Sequence, residues 1–167
     1  KLIVNNNDAF NAFMTILETE DSVKKEIIQI LQKQLLELNL DLKIENFTLS
    51  NKQYSGFELT NEKLTSKNLK IRFEFNSKNY SQLDFGFVIL NGNDTTMFHE
   101  LRLNYKKHFG EVASSNTWPA YSGFHEYRYW SNNNRKVFGD VLNGEMIKSI
   151  KEKISLLLKS FEDTYKN

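Results

Sequence analysis

The chain contains no cysteine, which excludes disulfide bonds, thiolate metal sites and cysteine nucleophiles together. One proline and seven glycines leave no Pro/Gly-rich linker, and no apolar run approaches the roughly 20 residues that a membrane-spanning helix needs. An excess of one charge is also missing. With 22 basic and 21 acidic residues the formal charge is +1, so the chain lacks the strongly basic balance of a dedicated nucleic-acid module and any polyanion contact must be local. Lys1-Leu2-Ile3-Val4, followed by three asparagines, does not have the plan of a secretory signal. A cytoplasmic protein without membrane attachment is expected.

The 167 residues, 40% of them hydrophobic and 26% charged, suit one globular domain over 1–167. A chain of this length buries about 70% of the surface of its unfolded form, enough to fold without a metal or a covalent staple. It opens on Lys1 rather than methionine, and is expected to be the C-terminal piece of a longer protein.

Ala9, Phe10, Phe13, Met14 and Leu17 recur at helical spacing behind Asp8, a good N-cap residue. Val23, Ile27, Ile28, Leu31, Leu35 and Leu38 then form a second apolar stripe, with Asn39 as a stop, so a helical hairpin is expected at the N-terminus. The period then changes to two. Leu40, Leu42 and Ile44 alternate with polar residues, as do Leu69, Ile71, Phe73 and Phe75, then Leu83, Phe85, Phe87 and Ile89. Lys78 to Ser81 is short enough to join the last two as an antiparallel hairpin, and residues 53–60 offer a fourth strand. Asn91-Gly92-Asn93-Asp94 breaks the sheet. Met97, Phe98, Leu101, Tyr105 and Phe109 return to helical spacing, closed by Gly110. After an aromatic, irregular stretch over 111–135, a short helix at 135–142 precedes a long amphipathic one from Met146 to Tyr165. The fold class expected is α+β: an N-terminal helical hairpin, a mainly antiparallel sheet of three to four strands, and helices packed on it, the long C-terminal one included.

Motifs of catalysis are missing: there is no phosphate-binding loop, no dinucleotide fingerprint, no nucleophile elbow and no H-E-x-x-H. His99-Glu100 and His125-Glu126 fit no zinc spacing. Asp41-Leu42-Lys43 has the letters of a D-x-K nuclease motif, but no strand precedes it to donate the other carboxylate that two-metal chemistry requires. No catalytic residue and no metal ligand is therefore assigned.

Between Trp118 and Trp130 the chain places seven aromatic or proline rings in thirteen residues around a lone arginine, Arg128. Such rings stack on bases while arginine pairs with phosphate, or they fill a core and keep their polar tips at its edge. Residues 51–110 carry nine basic against six acidic residues. The candidate binding residues are Trp118, Tyr121, Arg128, Tyr129 and Trp130, with Lys106 and Lys107, as a weak basic and aromatic face toward nucleic acid.

Trp118-Pro119, the aromatic run ending at Trp130, a short helix, and Asn143-Gly144-Glu145-Met146 opening a long helix resemble the C-terminal region of bacterial and phage PD-(D/E)XK nuclease-superfamily proteins. Val23 to Leu35 is similar to the helix that follows the catalytic core in that family. The resemblance implies a restriction-like, DNA-binding parent, often encoded near mobile or defence genes, that hydrolyses phosphodiesters with magnesium. The family's carboxylates and lysine lie on upstream strands that this chain does not contain, so none is carried over. The expected role is a noncatalytic accessory domain in substrate recognition, sensing or assembly, partnered by the missing N-terminal catalytic domain and needing no cofactor itself. The alternative is a protein-interaction or small-ligand or nucleotide sensor module with an aromatic pocket. Oligomeric state is not encoded in any of these features.

Overall fold

Residues 7–38, 40–92, 95–130 and 135–166 are described by the computed structural model, with side chains from Ser22 onward except that of Arg135. Every strand pairs antiparallel with its neighbour in sequence: β1 (Lys43–Glu45), β2 (Ser55–Thr60), β3 (Leu69–Ser77), β4 (Ser81–Ile89) and β5 (Ala120–Gly123) form one sheet in the order β1-β2-β3-β4-β5. A single turn of helix, α2 (Glu62–Ser66), joins β2 to β3; Asn61 caps it by accepting from Leu64 N at 3.0 Å. The fold is thus α+β, with helices α1 (Asn7–Leu36), α3 (His99–Phe109), α4 (Arg135–Leu142) and α5 (Glu145–Tyr165) beside the sheet.

The period-two pattern sorts the faces. Phe57 stands opposite Phe73, and Phe73 opposite Phe85, in register across three strands, with ring centroids 4.9 and 5.7 Å apart. These rings, with Leu69, Ile71, Phe75 and Phe87, are nearly fully buried in one cluster that includes Leu31 and Leu35 of α1, Leu101 and Tyr105 of α3, Val137 and Val141 of α4, and Ile154 and Leu157 of α5. Burying apolar faces of sheet and helices against each other is what holds the layers together. Tyr105, wholly buried, donates to Phe85 O at 3.2 Å, and Gln34 Nε2 donates to Val141 O at 2.9 Å, tying α3 to the sheet and α1 to α4.

Several expectations change. The helical hairpin is instead one continuous helix, α1, running through the polar stretch 18–22. The strand expected over 40–44 contracts to Lys43–Glu45, and Asn39 lies outside the described residues. The sheet has five strands rather than three to four among the described residues, the fifth lying in the aromatic segment read as irregular. The β3–β4 hairpin forms as expected, its turn placing Asn79 and Tyr80 at φ 58° and 53°. Tyr80 is held in that left-handed conformation by stacking on Trp130 at 5.7 Å and meeting Phe75 edge-on at 5.6 Å. Gly110 closes α3 at φ 78° with its N–H on Lys106 O, and Gly144 at φ 81° turns the chain from α4 into α5. Asn93 and Asp94 of the expected break lie outside the described residues. No helix among the described residues is long and apolar enough to cross a membrane.

Candidate functional site

The face of the sheet turned away from the helices carries the polar half of each alternation. Its rows follow from the strand register. One row reads Glu58, Arg72, Gly86 and Tyr121; the next reads Gly56, Glu74, Asp84 and Gly123. Residues 111–118 fold back beside β5, pairing Ala113 with Tyr121 in both directions at 2.9 and 3.0 Å, and Thr117 O accepts from Ile89 N at 3.0 Å. This return wall, together with Tyr54, Gln82 and Arg128, turns the open face into a trough of about 870 Å³. Tyr54 and Gln82 both take φ 60°, so two of its lining residues hold strained left-handed backbone.

The two rows treat charge in opposite ways. In the first, Glu58, only 4% exposed, receives Arg72 through Nε at 2.8 Å and through Nη2, Lys70 Nζ at 3.1 Å and Asn46 Nδ2 at 2.6 Å. Burial alone would raise its pKa, but these donors outweigh it and hold the carboxyl below its ordinary value. In the second row Glu74 and Asp84, 9% and 6% exposed, stand directly opposite one another. Burial raises both above their ordinary values. For Glu74 the charges of Glu58 and Asp84 add to it against Arg72, and for Asp84 the charge of Arg128 and a hydrogen bond from Asn76 oppose it without prevailing. Asp84 Oδ1 is buried with no hydrogen-bond partner, as is Arg128 Nε. Glycine at 123 leaves room for the guanidinium of Arg128 over the strand: a methyl there would sit 2.9 Å from Arg128 Nη1, displacing it, and 3.4 Å from Asp84 Oδ1.

Of the residues expected at a binding face, Trp118, Tyr121 and Arg128 line this trough. Trp118 is 8% exposed; it packs on Tyr121 at 5.4 Å and takes the Arg72 guanidinium over its ring at 5.8 Å. Trp130 is in the core instead, edge-on to Phe75, with its indole N–H donating to Tyr127 O at 3.0 Å. Tyr129 is half exposed, with Arg128 over its ring, and is not part of the trough lining. Lys106 and Lys107 stand exposed on α3 in the helical layer, Lys107 donating to Asn104 at 2.7 Å, and neither lines the trough. The aromatic segment is thus divided between wall and core. Glu74 and Asp84 escaped the sequence reading because alternating charges on a strand read as solvated; the only signal was the ring-rich segment downstream, long enough to return over them. Among the described residues no three His, Asp or Glu side chains gather as metal ligands.

Comparison with protein-family models, with curated proteins and with solved structures finds no match for this chain.

Proposed function

We propose that this chain is a ligand-recognition domain that carries no active site of its own, and that a small polar ligand or a projecting polar side chain enters the trough on the open face of the sheet. The observation that carries the reading is the burial of Asp84 in that trough with one carboxylate oxygen unpartnered. A buried charge left in this state costs stability, and such costs collect at sites that use them. A concave, largely preformed site with a few convergent polar groups and an aromatic wall is the usual architecture of small-ligand recognition. In a longer nuclease-like protein of the kind the sequence resembles, this role is that of a sensing or recognition unit beside a magnesium-dependent catalytic core. The chain alone would then leave DNA and RNA uncut in the presence of magnesium. The test is a screen of small polar compounds by amide chemical shifts of the folded chain. Shifts gathered at Tyr54, Asp84, Trp118 and Gly123 support the reading; a complete lack of shifts at the trough across cationic, anionic and neutral probes refutes it.

A further inference from the structure

The Glu58–Arg72 and Glu74–Asp84 rows are neighbours on one sheet face, yet only the first is neutralised across strands. Like charges directly opposite on an antiparallel pair repel, and a buried carboxylate is tolerated when a cation and hydrogen bonds meet it. Arg72 is committed to Glu58 and reaches Glu74 only at 3.4 Å. Arg128 brings Nη1 over Gly123, the cross-strand partner of Asp84, but makes no hydrogen bond to Oδ1. Gly56 and Gly123 at the two ends of the row bring no side chain of their own beside the carboxylates, and Arg128 covers the Gly123 end. With Arg72 held by Glu58 and Glu111 paired with His125 at 2.6 Å, the trough offers Glu74 and Asp84 against Arg128, a balance that favours positive charge over phosphate. The Trp118 ring is taken by Arg72, and Tyr121, half-buried beside it in the trough wall, supplies the ring on which a guest guanidinium or ammonium rests.

We infer that the trough takes an organic cation, a guanidinium or ammonium group, between Glu74 and Asp84, with Arg128 as the tethered cation that it must displace. The inference rests on the ligand-recognition reading above and names the chemistry of its ligand. The group can come from a free small amine or from an arginine or lysine side chain on a partner, and both present the same donors to the two carboxylates.

The role given to Arg128 reverses the sign of an ordinary experiment. An arginine that pairs with a phosphate strengthens binding, so its removal weakens it; an arginine that competes with a guest cation lowers the apparent affinity by the fraction of time it holds the place, so its removal strengthens it. The full chain is titrated with agmatine, for a free cation, with N-acetyl-arginine amide, for a side chain, and with AMP and a short single-stranded oligonucleotide as anionic probes, followed by calorimetry and by amide shifts at Asp84 and Gly123. The expected result is saturable binding of one or both cations, tightened by about threefold to tenfold in Arg128→Ala and weakened by about tenfold or more in Asp84→Asn and in Glu74→Gln. Preference for agmatine points to a free amine, and preference for the amide points to a side chain. Binding of AMP or the oligonucleotide at the trough, weakened by Arg128→Ala, with no response to the cations, overturns the inference and leaves the ligand-recognition reading standing. No response at the trough to any probe overturns both.

Discussion

Replacing Asp84 by asparagine ought to make the domain more stable at neutral pH, against the usual direction for a buried substitution. The carboxylate is 6% exposed, one oxygen accepts from Asn76 Nδ2 and the other has no partner. An unsatisfied buried polar atom costs about 1–3 kcal/mol, and more when charged. Asparagine keeps an acceptor for Asn76 and removes the repulsion from Glu74, but its own amide needs a partner, so part of the penalty stays. The net gain expected is about 1 kcal/mol, equal to a rise of about 2–4 °C in Tm for a domain of this size. The pH dependence follows from burial holding the folded pKa above the ordinary 3.8. A group with a raised folded pKa gives its full stability below the unfolded value and loses it as pH rises through the folded one. The advantage of Asp84→Asn therefore opens above 3.8, widens toward neutrality and closes in acid. Thermal and denaturant unfolding by circular dichroism at neutral pH and near pH 3.5 measures it. A variant less stable at neutral pH, or one whose advantage is the same at both pH values, refutes the reasoning.

Arg72→Ala is expected to act oppositely, costing about 3–5 kcal/mol at neutral pH because it strips a buried carboxylate, Glu58, of its main partner; since Glu58 is held below its ordinary 4.5, the deficit shrinks as acid protonates it, and equal denaturation midpoints for variant and parent at neutral pH would sink the idea. Phe73→Ala removes a wholly buried ring stacked between Phe57 and Phe85 and should cost about 3–5 kcal/mol in urea unfolding; a loss below about 1 kcal/mol would mean the faces of β3 are misassigned. Tyr127→Phe deletes the hydroxyl that donates to Asp140 Oδ2 at 3.0 Å and should cost about 1 kcal/mol, with an unchanged midpoint counting against that bond.

The β3–β4 hairpin and α5 were legible because each pattern is decided locally: strict alternation over eight residues admits a strand, and an apolar stripe over twenty admits an amphipathic helix. The continuity of α1 was not. Asp21-Ser22 resembles a helix start, yet aspartate and serine are only some tenths of a kcal/mol worse than good helix formers, so neighbouring turns carry the helix across them. The four-residue β5 has no alternation of its own to show; it becomes a strand because β4 offers a free edge, and Phe87 meets Ala120 and Phe85 meets Ser122 across it. The trough was half legible for the same reason. Ring density singled out Trp118, Tyr121 and Arg128, while Glu74 and Asp84 are set apart from ordinary wet-face charges only by the return of residues 111–118 and by Arg128, a long-range event that no local window holds.

Stability and binding should respond to pH in opposite senses, and that opposition separates a site from a mere defect of packing. Glu74 and Asp84 each face the other, Arg72 and Glu58 flank Glu74, and Arg128 and His125 act on Asp84. The domain loses stability as these two carboxyls ionise, since both folded values lie above the ordinary 4.5 and 3.8. A guest cation gains from the same ionisation, because only the charged carboxylates attract it, and the bound cation in turn draws their pKa values down, so that binding releases protons near the raised values. Agmatine affinity should then rise between about pH 4 and about pH 7 while the Tm contribution of the pair falls, and calorimetry in buffers of different ionisation enthalpy should register the released protons. His125, which pairs with Glu111 at 2.6 Å, is the remaining group that acts on Asp84, so His125→Gln serves as the control: the pH slope must persist in it. An affinity that is flat across this range, or that falls as pH rises, would show that Glu74 and Asp84 do not hold the guest.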